Sequence, residues 1–170
     1  MKKVVFLLLI TVFTACLLTS CSQTQDIKST NVKTDFQAVA DVEYDGNYLK
    51  YLVKNEKTNG TEITVKEPQN LEGFSINILN DKNNIAFKDL CCETKNLPIL
   101  NQSAPSFINR VLDDISMKES LEINEKDNSI SGECSAGKYT AYIDKSNGFI
   151  SKITSPDVNL NIVFSSQTIL

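Results

Sequence analysis

Phe36-Gln37-Ala38-Val39-Ala40-Asp41-Val42-Glu43-Tyr44 decides the fold. Phe36, Ala38, Ala40, Val42 and Tyr44 recur at every second position, with Gln37, Asp41 and Glu43 between them. A period of two places the apolar set on one side of an extended strand and the charges on the other. A strand written this way belongs to an antiparallel sheet covered on one face only. Asp45-Gly46-Asn47 then reads as a tight turn, and Leu49, Tyr51 and Val53 begin the next apolar face.

Moving toward the C-terminus, the same pattern returns. Asn59-Gly60 turns the chain into Ile63 and Val65, Pro68 ends that strand, and Phe74, Ile76 and Ile78 follow. A polar stretch, residues 80–84, separates them from Ile85 and Phe87. The pattern changes at Ser103-Ala104-Pro105, where proline in the first turn marks a helix start. Phe107, Ile108, Val111, Leu112 and Ile115 then lie on one helical stripe. Alternation resumes after Leu121 in four segments: Ile130 to Cys134, Tyr139 to Ile143, Phe149 to Ile153, and Val158 to Phe164. Leu97-Pro98-Ile99-Leu100 reads as an irregular apolar plug. The expectation is a mainly β, α+β domain of about five strands, a helical insertion, and four or five more strands. Such a sheet must curl, with the apolar helix packed against its concave face. Phe74, Ile76, Ile78, Phe107, Val111 and Ile115 are the candidate lining of that concavity.

Toward the N-terminus the chain is of another kind. Lys2 and Lys3 precede an apolar run from Val4 to Leu18, followed by Thr19-Ser20-Cys21. A charged start, a short apolar core and small residues before a cleavage point define an export signal. The run falls short of the roughly 20 residues of a membrane-spanning helix. Leu18-Thr19-Ser20-Cys21 resembles the lipobox of bacterial lipoproteins. That resemblance implies a diacylglyceryl group on the Cys21 sulfur and cleavage before Cys21, with Leu18, Thr19 and Ser20 recognised by the peptidase. The chain divides accordingly into a signal peptide (1–20), a lipid-anchored tether (21–34) and a β domain (35–170). Residues 21–34 are polar and aperiodic, hence the reading as a plain tether. The expected location is the extracytoplasmic face of a cell membrane, held by lipid.

Charge narrows the partners. Removing the signal leaves 15 basic residues against 21 acidic, a formal charge of −6. That balance argues against nucleic acid and against docking on anionic headgroups. The chain has no His, the commonest general base and metal ligand. Neither a serine elbow nor a zinc-type pair of cysteines occurs, and the expectation is no catalysis, no metal and no cofactor beyond the lipid. Asp41-x-Glu43-x-Asp45-Gly46 imitates the start of a calcium loop, but Leu52 stands where the closing Glu belongs. Cys91, Cys92 and Cys134 leave two readings: three thiols, or one bridge from Cys134 to Cys91 or Cys92.

Two further segments carry a resemblance. Val65-Lys66-Glu67-Pro68-Gln69-Asn70-Leu71-Glu72-Gly73-Phe74 is similar to a strand–Pro–Leu–Gly–strand segment of the LolA-like lipoprotein fold. Gly137 to Asp144, with Asn147-Gly148 and Lys152-Ile153, is similar to its late hairpin. The resemblance covers roughly residues 36–164 and implies an unclosed barrel partly filled by helix. Within that fold, size, lipobox and pattern are most like the GerS-type germination lipoproteins of spore-forming bacteria. These imply sporulation or germination, and binding of a cortex-modifying cell-wall amidase as the partner. The competing expectation is a carrier or sensor holding an acyl chain in the concave groove.

Overall fold

The computed structural model describes residues 24–28, 32–79, 82–95, 102–118 and 120–170. Residues 1–23, with the signal and Cys21, and residues 96–101, with the Leu97–Leu100 plug, lie outside the described set.

The strands before the helix are β1 (Thr24–Lys28), β2 (Phe36–Tyr44), β3 (Asn47–Glu56), β4 (Gly60–Glu67), β5 (Ser75–Leu79), β6 (Lys82–Phe87) and β7 (Leu90–Thr94). Helix α1 (Ala104–Met117) is followed by β8 (Ser120–Asn124), β9 (Ser129–Cys134), β10 (Gly137–Ile143), β11 (Ile150–Ser155) and β12 (Leu160–Ile169). They form one 12-stranded antiparallel sheet in the order β1-β8-β9-β10-β11-β12-β2-β3-β4-β5-β6-β7. It is unclosed, with β1 and β7 at its two edges.

The opening stretch explains why the sheet is built around β2. Phe36, Ala38, Ala40 and Val42 are all buried, as the alternation requires. Phe36 meets the Phe149 and Phe164 rings edge to face, with centroids 6.2 and 5.7 Å away. Leu160 opposes Tyr44 and Ile169 opposes Phe36, so the last strand pairs with the first long one. Asp45 and Gly46 turn the chain with positive φ of 48° and 77°. Gly60 admits no side chain: a Cβ there would sit 2.1 Å from the Ile78 carbonyl oxygen.

Within the segment read as a tether, the described residues 24–28 and 32–34 are joined to the domain. Thr24–Lys28 runs antiparallel to Ser120–Asn124, with Thr24 opposite Asn124 and Lys28 opposite Ser120. Val32 is already buried, and the Lys33 N–H donates to the Gly148 carbonyl at 2.9 Å. Packing therefore starts before residue 35. A polar strand that adds to an edge needs main-chain partners rather than an apolar face, so no periodicity announces it. The same reason hid β7: its residues are exposed or half-buried, and nothing imposes alternation on them.

Candidate functional site

Helix α1 occupies the concave side, packed against β4, β5 and β9. Its start is built as the sequence indicates. The Ser103 hydroxyl accepts from the Ser106 N–H at 3.4 Å, and Pro105 lies in the first turn. Phe107, Ile108, Val111, Leu112 and Ile115 are all buried, none more than 3 % exposed. Of the candidate lining residues, Phe107, Val111, Ile115 and Ile76 are buried, while Phe74 and Ile78 are half-buried. Phe74 packs on the core and meets Phe87 with ring centroids 6.0 Å apart. The stripe is thus a filling of the groove, not a wall around an empty one.

A polar clamp that sequence reasoning missed fixes the far half of α1. Tyr139 on β10 donates its hydroxyl to Asp114 at 2.5 Å. The Lys118 ammonium donates to the same carboxylate at 2.6 Å and sits 5.9 Å from the Tyr139 ring centroid. Burial, followed by the adjacent Asp114 carboxylate, raises the Tyr139 pKa well above the ordinary phenol range, so the hydroxyl stays protonated and donates. Gly132, opposite Tyr139 on β9, makes the room: a Cβ there would lie 2.4 Å from the tyrosine ring. The legible signal was a lone glycine within a strand, which marks close approach by another group.

Two clefts flank the helix. One, of about 560 Å³, lies by its N-terminus between Tyr44, Asp45, Gln102, Phe107, Ser135 and Asp157. The Tyr44 hydroxyl donates to the Gln102 carbonyl across it. The other, of about 680 Å³, lies toward its C-terminus between Asn55, Glu56, Ile78, Asn109, Asp113 and Met117. Burial holds the Asp113 carboxyl above its ordinary value, partly offset by the Asn109 amide, which donates to it at 3.0 Å. Nearby, the Thr61 hydroxyl donates to the Asn55 side-chain oxygen at 2.6 Å. The Asn55 amide in turn donates to the Thr34 carbonyl at 2.8 Å, tying the chain entering β2 to β3 and β4. Both clefts carry mixed polar and apolar walls.

The remaining candidates are scattered. Asp41 and Glu43 point outward from β2, Asp41 lying 3.7 Å from Lys50 and Glu43 accepting from Tyr48. Among the described residues no group of three or more Cys, Asp and Glu side chains is arranged to hold a metal. The bridge from Cys134 to Cys91 or Cys92 is not formed: all three are free thiols. Cys91 and Cys92 are exposed on edge strand β7, whereas Cys134, on β9, is half-buried and near the opposite edge in strand order. Leu18, Thr19, Ser20 and Cys21 lie outside the described residues. Among the described residues no helix is long and apolar enough to cross a membrane.

Comparison with known proteins follows the architecture. No family model matches the chain, and no curated protein does. Solved structures do. A LolA superfamily protein of Nitrosomonas europaea aligns over 85 % of this chain and 94 % of its own, at TM-score 0.50 and 9 % identity. The fold is LolA-like. An uncharacterized conserved protein of Thermus thermophilus aligns over 84 % of this chain and 82 % of its own, at TM-score 0.50 and 11 % identity. Identities this low speak for the LolA-like backbone alone.

Proposed function

We propose that this chain is a lipid-anchored, extracytoplasmic binding module without catalytic activity of its own. One observation carries the reading: the concave face is filled by the chain's own helix, with Phe107, Val111 and Ile115 buried against the sheet. A groove already occupied leaves the outer face, the sheet edges and the two end clefts for recognition. Anchoring falls to a diacylglyceryl group on Cys21, because the charge balance gives no electrostatic hold on an anionic bilayer. The partner class implied by the GerS-type resemblance is a cell-wall amidase of the envelope or spore. The acyl-carrier reading draws on one specific feature, the cleft beside Ile78 and Met117, whose walls also carry Glu56 and Asp113.

The test takes the full chain, expressed in a Gram-positive host fed a clickable palmitate analogue. Label on wild type and none on Cys21→Ala is the expected result; label persisting on Cys21→Ala overturns lipidation. The same preparations are divided between capture of a purified cortex amidase and lipid extraction. Saturable amidase binding with substoichiometric extractable lipid is expected. Stoichiometric lipid with no amidase binding overturns the binding-module reading in favour of the carrier.

A further inference from the structure

The free edge of β7 carries information that the clefts do not. β6 and β7 are joined by two residues, Lys88-Asp89, with Phe87 opposite Leu90, Ala86 opposite Cys91 and Ile85 opposite Cys92. The pair that closes a two-residue hairpin exchanges main-chain hydrogen bonds, and such pairs alternate along the ladder. Leu90, Cys92 and Thr94 therefore turn their N–H and C=O toward β6. Cys91 and Glu93 turn theirs outward, where no strand pairs among the described residues. This edge has no proline and no bulge against β6, and Leu90 at its start is 75 % exposed. Such an edge is open to another strand.

We propose that this edge joins two copies of the chain, with Cys92 opposite Cys92 of the partner subunit and oxidation locking the pair. The register follows from chemistry. A two-fold antiparallel pairing must place some residue opposite itself. Centred on Glu93, it sets two carboxylates face to face. Centred on Cys91, it sets Glu93 against Asp89 of the partner subunit. Centred on Cys92, it sets Glu93 against Cys91 of the partner subunit, opposes no like charges, and uses both outward-facing residues of each copy. In that register the Cys92 pair is a non-hydrogen-bonded one, with Cα atoms about 4.5 Å apart, within the span a disulfide bridges. Cys91 has no thiol opposite it. A small-molecule disulfide such as oxidised glutathione completes the balance. One Cys92 thiolate attacks it and releases a glutathione thiolate. The partner's Cys92 thiolate then attacks the mixed disulfide and releases the second. Two protein thiols are oxidised, one glutathione disulfide is reduced to two thiols, and the two protons leave to solvent or glutathione.

The experiment uses the full chain in detergent, equilibrated in glutathione redox buffer, alkylated and cut with trypsin. Cleavage after Lys88 and Lys95 releases residues 89–95 as one peptide, and its disulfide-linked dimer is quantified by mass spectrometry. Cys91→Ser should keep the linked dimer, and Cys92→Ser should reduce it by about tenfold or more. Glu93→Pro, made together with Cys91→Ser, removes an outward N–H from each copy but leaves Cys92 in place. It should slow linkage by about tenfold, a difference that vanishes in urea. Absence of linked peptide from wild type and Cys91→Ser overturns the proposal. So does linkage in Cys92→Ser equal to that in Cys91→Ser, or a Glu93→Pro rate unchanged in the folded chain.

Discussion

The two ends of the strand order are built differently from its middle. In β2, β3 and β12 every second side chain is buried along much of each strand, and Phe36, Val53 and Ile162 are completely inaccessible. In β6 and β7 no residue reaches that state, and the hairpin is held by its ladder and by the Phe74–Phe87 contact. Both regions have the same secondary structure and the same direction of pairing. What separates them is the core: Phe36, Val53 and Ile162 share one buried cluster with Phe107, Val111 and Ile115 of α1, and no residue of β6 or β7 belongs to it. Sheet geometry comes from the backbone, whereas stability comes from what lies on top of it.

The sharpest way to break this comparison is to empty the middle. Phe36→Ala removes a fully buried ring with two aromatic neighbours and should cost about 3–5 kcal/mol in urea unfolding. Phe87→Ala, on the half-buried hairpin, should cost no more than about 1 kcal/mol. Equal losses would mean that the hairpin belongs to the core after all.

Next in size is the clamp. Gly132→Ala pushes a methyl group into the Tyr139 ring and should break its bond to Asp114, at about 2–4 kcal/mol. Tyr139→Phe, which keeps the ring and loses the hydroxyl, should cost about 1–2 kcal/mol. If Gly132→Ala melts like wild type, the ring is not seated where the strand pairing puts it.

The smallest effect concerns Asp113 at the cleft. Its folded pKa is raised by burial, so the folded state binds the proton more tightly than the unfolded chain. Stability must then fall as pH rises from the ordinary carboxylate range through the raised value. Asp113→Asn should flatten that part of the pH profile and slightly raise the melting temperature at neutral pH. A lower melting temperature for Asp113→Asn at pH 7 would show that the ionised carboxylate stabilises the fold.

These contrasts also explain what could be read from the sequence. Alternation in Phe36–Tyr44 and the stripe from Phe107 to Ile115 are imprints of burial, and both elements form as the pattern indicates. β7 buries too little to leave an imprint; its residues answer to main-chain pairing, which nearly any side chain permits. The clamp was hidden for another reason. Gly132, Tyr139 and Asp114 come from three elements, and only the fold brings them together. The thiols stayed open between a bridge and three free groups because a bridge depends on separation in space, and β7 and β9 stand toward opposite ends of the strand order.

The pairing of β12 with β2 has a consequence for how the molecule comes into being. Leu160 to Ile169 lies between β11 and β2, so the middle of the sheet is a seam joining the two extremes of the domain's chain. Any process that delivers the polypeptide from its N-terminal end brings β2 out long before its partner β12 and must wait for that strand. Contacts between distant segments form slowly, because a long loop has to close before they are rewarded. Until then β2 and β11 each lack a neighbour, and Phe36 has no Phe164 to rest against. The domain is therefore assembled around its last arrival.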